Sequence, residues 1–132
     1  MSRTTIANTL AEIVALFGAA DGTPVAALTA AGVTHVYGFE PGAGGVKKPC
    51  SVTVAFSGLD PTDTLFTVRV YVSGDTPPTT AQDLLIASVD ACDDALLGGV
   101  GFGPSAWDVG WVAELGAWIA VSQVRAGRED GF

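Results

Sequence analysis

The sequence predicts an α+β domain in which a largely antiparallel sheet of four to five strands carries two main helices. Two segments with helical periodicity, one at the start and one in the middle, and several short segments of alternating apolar and polar residues predict this class. The expected order is helix, strand, strand, strand, helix, strand, strand. With 132 residues, the chain is expected to form a single domain over 1–132 with one core.

The first helix is expected over residues 2–18, because apolar side chains recur there at the 3.6-residue period. This stripe consists of Ile6, Leu10, Ile13, Val14 and Phe17. Gly22 and Pro24 end the helix, and VAALTAAG is expected to add a short helical turn. The apolar positions near the start are spaced and interrupted, which is not typical of a signal peptide, so a cytosolic chain is expected.

The middle of the chain contains the strand signals. A weak strand is expected at THVYGF, followed by the loop EPGAGGVKKP, whose prolines and glycines disfavour regular structure. Two stronger strands, CSVTVAFS and LFTVRVYVS, alternate with period two and are joined by GLDPTDT as an antiparallel pair. Their apolar faces consist of Val52, Val54 and Phe56 in the first strand, and Phe66, Val68, Val70 and Val72 in the second.

The second helix is expected at about 81–97, with Thr79 or Thr80 as its cap. Its apolar stripe consists of Ala81, Leu84, Leu85, Ser88, Val89, Cys92 and Leu96, and its wet side carries Asp83, Asp90, Asp93 and Asp94. Gly98 and Gly99 end it.

The C-terminal segment AWDVGWVAELGAWIAVSQVRAGREDGF predicts a β-hairpin. Its two-residue turn is expected at Gly116-Ala117, because a type II′ turn favours glycine at its first position. This register places Trp111 opposite Ser122, and Asp108 opposite Arg125 as a pair of opposite charges.

The reverse face of this hairpin carries an apolar strip. The strip consists of Val112, Ile119 and Val121, and its polar rim consists of Glu114, Gln123 and Arg125. A two-layer monomer usually leaves one sheet face wet, so an apolar strip with a charged rim is typical of a protein contact. Val112, Ile119, Val121 and Arg125 are therefore the candidate subunit interface. The alternative is that a helix of the same chain covers the strip.

The residue types that often carry chemistry lack suitable neighbours in this sequence. His35 has no recognisable catalytic partner, and Cys50 and Cys92 lack the spacing of metal ligands. The acids of the second helix are more typical of a solvated face than of a cation site. GAGGVKKP lacks the Gly-Lys-Ser/Thr of a phosphate-binding loop. We therefore expect no enzyme activity, no metal site and no cofactor.

The net charge of −8 comes from 14 acidic and 6 basic residues. This balance argues against a nucleic-acid clamp, which needs Lys and Arg to displace counterions from phosphate. No run approaches the roughly 20 apolar residues that a membrane span requires, so no membrane contact is expected.

The whole order of segments resembles the tail terminator (tail-to-head joining) proteins of long, non-contractile-tailed phages, particularly those of actinobacterial hosts. The resemblance covers nearly the full chain. Besides the opening helix, it rests on VTHVYGFEP, KPCSVTVAF, LFTVRVYVS, TTAQDLLIASVDACDDALL, GFGPSAWDVGWVAEL and WIAVSQVRAGRED.

Members of that family form a hexameric ring that caps the tail tube, ends tail polymerisation and joins the tail to the head. The resemblance implies a homo-oligomer, a hexamer, at the tail-neck junction of a virion that is assembled in the host cytoplasm. Its implied partners are a tail tube protein and a head-tail connector protein, with DNA passing through the lumen without specific binding. The alternatives are another neck or head-completion component, or a small non-enzymatic binding module.

In such a ring, the Gly-rich loop is expected to contact the tube or a neighbouring subunit. Its candidate contact residues are Glu40, Gly42, Gly44, Gly45, Lys47 and Lys48. Arg125 and the charged residues 128–130 are expected to form exposed ion pairs with a partner. The bore is expected to be acidic, because a conduit for DNA should repel phosphate.

Overall fold

The computed structural model describes residues 3–99 and 106–127, and within these ranges the chain forms three α-helices and one five-stranded sheet. The helices are α1 (Arg3–Phe17), α2 (Ala26–Ala31) and α3 (Pro78–Leu97). The strands are β1 (His35–Tyr37), β2 (Cys50–Leu59), β3 (Asp63–Ser73), β4 (Trp107–Val112) and β5 (Ala117–Gly127). The predicted α+β class is confirmed, and so is the short helical turn before the first strand.

The strands lie in the order β1-β2-β3-β5-β4. β1 is parallel to β2, and the remaining pairs are antiparallel. Parallel neighbours cannot be joined by a tight turn, so the chain between β1 and β2 must cross a face of the sheet. Residues 38–49, which we call the crossover, make this connection with a 3-10 turn at Ala43–Gly45. The Gly-rich segment therefore lies along the sheet.

The core lies between the helices and one side of the sheet, which we call the helix face. In α1, Ile13 and Phe17 are fully buried, and the remaining stripe residues pack partly buried against the core. The alternation predicted for β2 and β3 is confirmed for the valines, which are buried on the helix face. Phe56 departs from this pattern: it lies near the end of β2, is largely exposed and contacts the ring of Phe66.

Helix α3 begins at Pro78, earlier than the sequence predicted. Proline fits the first turn of a helix, because the N–H that it lacks would have no helical partner there. The N-cap position is Pro77, without a side-chain capping bond, so the predicted threonine cap is wrong. The predicted stripe is confirmed: Ala81, Leu85, Ser88, Cys92 and Leu96 are buried.

The predicted register of the C-terminal hairpin is wrong. Trp111 pairs with Trp118 instead of Ser122, four residues along β5, and residues 113–116 form the loop. Gly116 is the last loop residue and adopts a positive φ of 60°. The ring centroids of Trp111 and Trp118 lie 5.0 Å apart, with an angle of 60° between the ring planes. This contact favours the observed register. Because a shift of four is even, every side chain keeps its predicted face.

None of the helices in the described ranges is both long enough and apolar enough to cross a bilayer.

Candidate functional site

The side of the sheet opposite the helices, which we call the open face, is partly covered by the crossover. The backbone of Lys47 makes two hydrogen bonds to this face. The Lys47 carbonyl accepts from the Ser51 hydroxyl at 2.6 Å, and the Lys47 N–H donates to the Tyr37 hydroxyl at 3.1 Å. Val46 packs on a small cluster of Tyr71, Ala117 and Ile119. The crossover therefore spans from the β1 edge to β5.

Glu40 fastens the crossover to the sheet. Its Oε2 accepts hydrogen bonds from the Tyr71 hydroxyl and the Gly42 N–H, both at 2.8 Å. Its Oε1 accepts from the Thr53 hydroxyl at 2.8 Å and from Arg69 Nη1 at 3.2 Å. Thr53 and Tyr71 are buried, so their hydroxyls depend on Glu40 rather than on water. With four hydrogen-bond donors around its carboxylate, Glu40 holds the crossover on the sheet.

The ionisation of Glu40 reflects this environment. Burial is the largest single influence and raises its pKa, but hydrogen bonds from Tyr71, Thr53 and Gly42 and the charge of Arg69 together hold the pKa below its usual value. Burial and the carboxylate of Glu40 in turn raise the pKa of Tyr71. The pair is therefore a carboxylate accepting from a neutral phenol across the neutral pH range.

The structure brings together the predicted strip of Val112, Ile119 and Val121, but the chain's own crossover covers its centre. Ile119 is 6% exposed, while Val112 and Val121 are half-buried beside the same cluster as Val46. The covering segment is the crossover, so the alternative of a covering helix is wrong. Of the three strip residues, only Val112 and Val121 therefore remain partly accessible for contact with another molecule.

Arg125 does not pair with Asp108. Its Nη1 lies 2.8 Å from Asp60 Oδ2 and 3.5 Å from Asp63 Oδ2, at the turn between β2 and β3. This follows from the true pairing, in which Asp108 faces Val121 and Arg125 faces Leu65 of β3. The predicted partner residues 128–130 lie outside the described residues.

The other predicted loop residues lie along the crossover. Gly42 has a φ of +84°, which glycine adopts readily, and its carbonyl accepts from the Gly45 N–H at 3.0 Å. Gly44 and Lys47 are exposed. Lys48 Nζ forms a surface ion pair with Asp75 Oδ2 at 2.8 Å. Contact of these residues with a tube or a neighbour stays a prediction.

His35 and the two cysteines occupy structural positions. The His35 ring packs on Tyr37 at 4.4 Å, and burial, followed by the charge of Lys47, lowers its pKa. Cys50 and Cys92 are buried, and Cys50 Sγ lies 3.5 Å from Ser88 Oγ. Burial raises the pKa of both thiols, which makes them poor nucleophiles. In the described part of the chain, no three His, Cys, Asp or Glu side chains are grouped to hold a metal ion.

An apolar groove at the β4 edge of the sheet was not predicted from the sequence. The groove has a volume of about 610 Å³ and lies between α3 and the hairpin. Its apolar lining includes Leu85, Ile86, Val89, Val109 and Trp118. Ile86 and Val109 are 54% and 57% exposed.

The chemistry of this groove suits contact more than catalysis. Thr79, Gln82 and Asp90 are the polar side chains among its described lining residues, and of these only Asp90 ionises. One carboxylate with no histidine, thiol or amine among the described lining residues offers no acid-base pair. The sequence did carry a signal: Ile86 lies between Asp83 and Asp90 on the wet side of α3, where an apolar residue is unexpected.

No family model, curated protein or solved structure matches this chain.

Proposed function

We propose that the protein is a structural subunit that assembles into a ring of identical copies at the end of a phage tail tube. In this role it caps the tube, ends tail polymerisation and joins the tail to the head, as the tail terminator proteins that it resembles do. The observation that carries the proposal is the apolar groove, with Ile86 and Val109 more than half exposed beside it.

Exposed apolar surface of this kind supports self-assembly. Single exposed apolar residues are common on monomers, but a contiguous apolar concavity usually marks a contact site. A ring built from one small chain needs two different lateral surfaces, because head-to-tail contacts are heterologous. The groove supplies one such surface.

The charge of the chain also supports a DNA conduit. With a net charge of −8, the subunit repels phosphate at long range. Lysines or arginines lining a bore would instead bind the DNA backbone and slow its passage. In the proposed ring the bore is lined mainly by Asp and Glu.

Deletion of the gene from its phage tests the role in the virion. We expect tails of uncontrolled length and heads without tails, because nothing would end tube growth or provide the joining surface. Tails of normal length with unattached heads would instead assign the protein to another neck or head-completion component. Normal, infectious particles would contradict both assignments.

A binding module for small apolar molecules is a second candidate, favoured by the volume of the groove. Its 610 Å³ lies within the roughly 300–1,000 Å³ typical of ligand pockets. A thermal-shift screen with apolar compounds tests it, since a ligand that binds the folded state raises the Tm. The matched control is Val109→Asp, which should abolish any shift that arises in the groove.

A further inference from the structure

We infer that the groove of one copy receives an aromatic ridge from the opposite edge of a second copy of this chain. The ridge consists of His35, Tyr37 and Phe39. This inference rests on the proposed ring and identifies the two surfaces that close it.

The two surfaces lie at opposite edges of the sheet. β1 is the outer strand on one side of the described sheet and β4 on the other. Four inter-strand spacings of about 4.8 Å separate these edges by roughly 19 Å. The ridge follows β1, and Val109 of β4 lines the groove. A head-to-tail contact needs two separate surfaces of this kind on one subunit, so that each copy uses one surface on each side.

The ridge presents an exposed and well-fixed aromatic side chain. Phe39 is 60% exposed, and its ring meets Tyr37 edge-on at 5.7 Å and 83°. Tyr37 packs in turn on His35, and its hydroxyl accepts the Lys47 N–H. Glu40, the next residue, is fastened by its four hydrogen bonds. An aromatic anchor fixed before binding loses little conformational entropy when a partner covers it.

The groove side is acidic, whereas the ridge side carries charges of both signs. Lys47 is exposed and lies next to the ridge, where its backbone bonds to Tyr37, and the exposed Asp21 interacts with His35. Lys47 is therefore the ridge-side charge that can pair with the acids of the groove. Asp90 lines the groove, and Asp83 and Asp94 are exposed on the same helix. Opposite charges orient the encounter of ridge and groove, and the like charges beside two grooves oppose contact of groove with groove. This complementarity favours a second copy over an unrelated apolar partner.

Disulfide trapping between copies tests this contact. In a chain carrying both Phe39→Cys and Val109→Cys, oxidation should link copies into a covalent ladder, because residue 39 of one copy lies beside residue 109 of the next. Cys50 and Cys92 are buried and remain outside the reaction. Either single variant should give no ladder. Efficient dimers of Phe39→Cys alone, or no ladder from the double variant, would overturn the inference.

A mixing experiment adds a readout that only a head-to-tail contact gives. Phe39→Asp removes the ridge but keeps the groove, and Val109→Asp removes the groove but keeps the ridge. Each variant alone should therefore weaken self-association on the order of 30-fold or more, as expected for a hot-spot residue. Mixed in equal amounts, they should form a heterodimer that does not grow. Leu59→Asp, at an exposed apolar residue of the β2 end, is the matched control and should assemble like the wild type.

The outcomes separate this inference from the proposed function. Rings that persist in both Asp variants would overturn the ridge-and-groove contact and leave the ring itself standing. A covalent ladder from a chain whose deletion leaves infectious particles would instead support the contact and contradict the role in the virion.

Discussion

At the residue scale, Glu40 determines where the crossover lies. The sequence predicts it in a loop, as a candidate contact with the tube or a neighbouring subunit. Its four donors come from the crossover, β2 and β3, which a linear pattern does not bring together. Nothing in the spacing of Glu40, Thr53 and Tyr71 predicts that one carboxylate joins them, because the parallel pairing of a three-residue strand sets that geometry.

Substitution of Glu40 by alanine should lower the free energy of unfolding by about 2 kcal/mol or more, because Thr53 and Tyr71 would be left with buried, unpaired hydroxyls. Urea denaturation followed by circular dichroism measures the change. The matched control is Asp75→Ala, which removes another ion-paired acid but from a fully exposed site, and should have little effect. Equal effects of the two variants would show that the fastening contributes nothing.

The stability contributed by Glu40 should depend on pH. Its pKa is lowered in the folded state, so its contribution is complete above the unfolded value of about 4.3 and is lost as the pH falls through the lower folded value. The gap in unfolding free energy between the wild type and Glu40→Gln should therefore be full at pH 7 and shrink below about pH 4. A gap that stays constant down to pH 3 would contradict this assignment.

At the element scale, periodicity predicted the faces of the strands and helices but not the length of the hairpin loop. Gly116 is equally suitable as the first residue of a two-residue turn and as the last residue of a four-residue loop. An even shift between these registers leaves the alternation unchanged, so the pattern could not distinguish them. The contact of Trp111 with Trp118 distinguishes them in the folded chain.

The hairpin loop gives a second stability prediction. Gly116→Ala should destabilise the protein by roughly 1 kcal/mol, because Gly116 has a φ of +60° and an L-residue is strained there. The matched control is Gly110→Ala in β4, where φ is not positive and a Cβ would meet no atom within 4 Å. Thermal denaturation compares the two variants. A loss for Gly110→Ala that matches the loss for Gly116→Ala would show that backbone conformation is not the cause.

At the scale of the whole molecule, the order of the periodic segments predicted the class of the fold but not the location of the proposed contact surfaces. The apolar strip was visible because it lies on neighbouring positions of one hairpin. The groove combines α3 with β4 and β5, and the ridge combines β1 with the crossover. Such surfaces depend on tertiary packing. In the sequence, the groove is indicated only by the apolar residue Ile86 on the wet side of α3.

The charge of the whole molecule predicts that the protein does not bind DNA. In an electrophoretic mobility assay with duplex DNA at 50 mM salt, we expect no retardation, because the net charge of −8 opposes association. The matched control replaces Asp83, Asp90 and Asp94 by lysine, which changes the net charge from −8 to −2 and places three lysines on one helix. This local positive patch should introduce salt-sensitive binding. Retardation of the wild type at micromolar protein would contradict a passive conduit.

The parallel edge strand has a consequence for dynamics. β1 is three residues long and pairs with β2 on one side, and its other side has, within the described ranges, one backbone hydrogen bond, from the Val36 N–H to the Gly22 carbonyl. Its amide hydrogens should therefore exchange with solvent sooner than those of the central strands. Docking of a neighbour over this edge should slow that exchange further, so slower hydrogen exchange at residues 35–37 than in the free subunit would report the proposed subunit contact without any substitution.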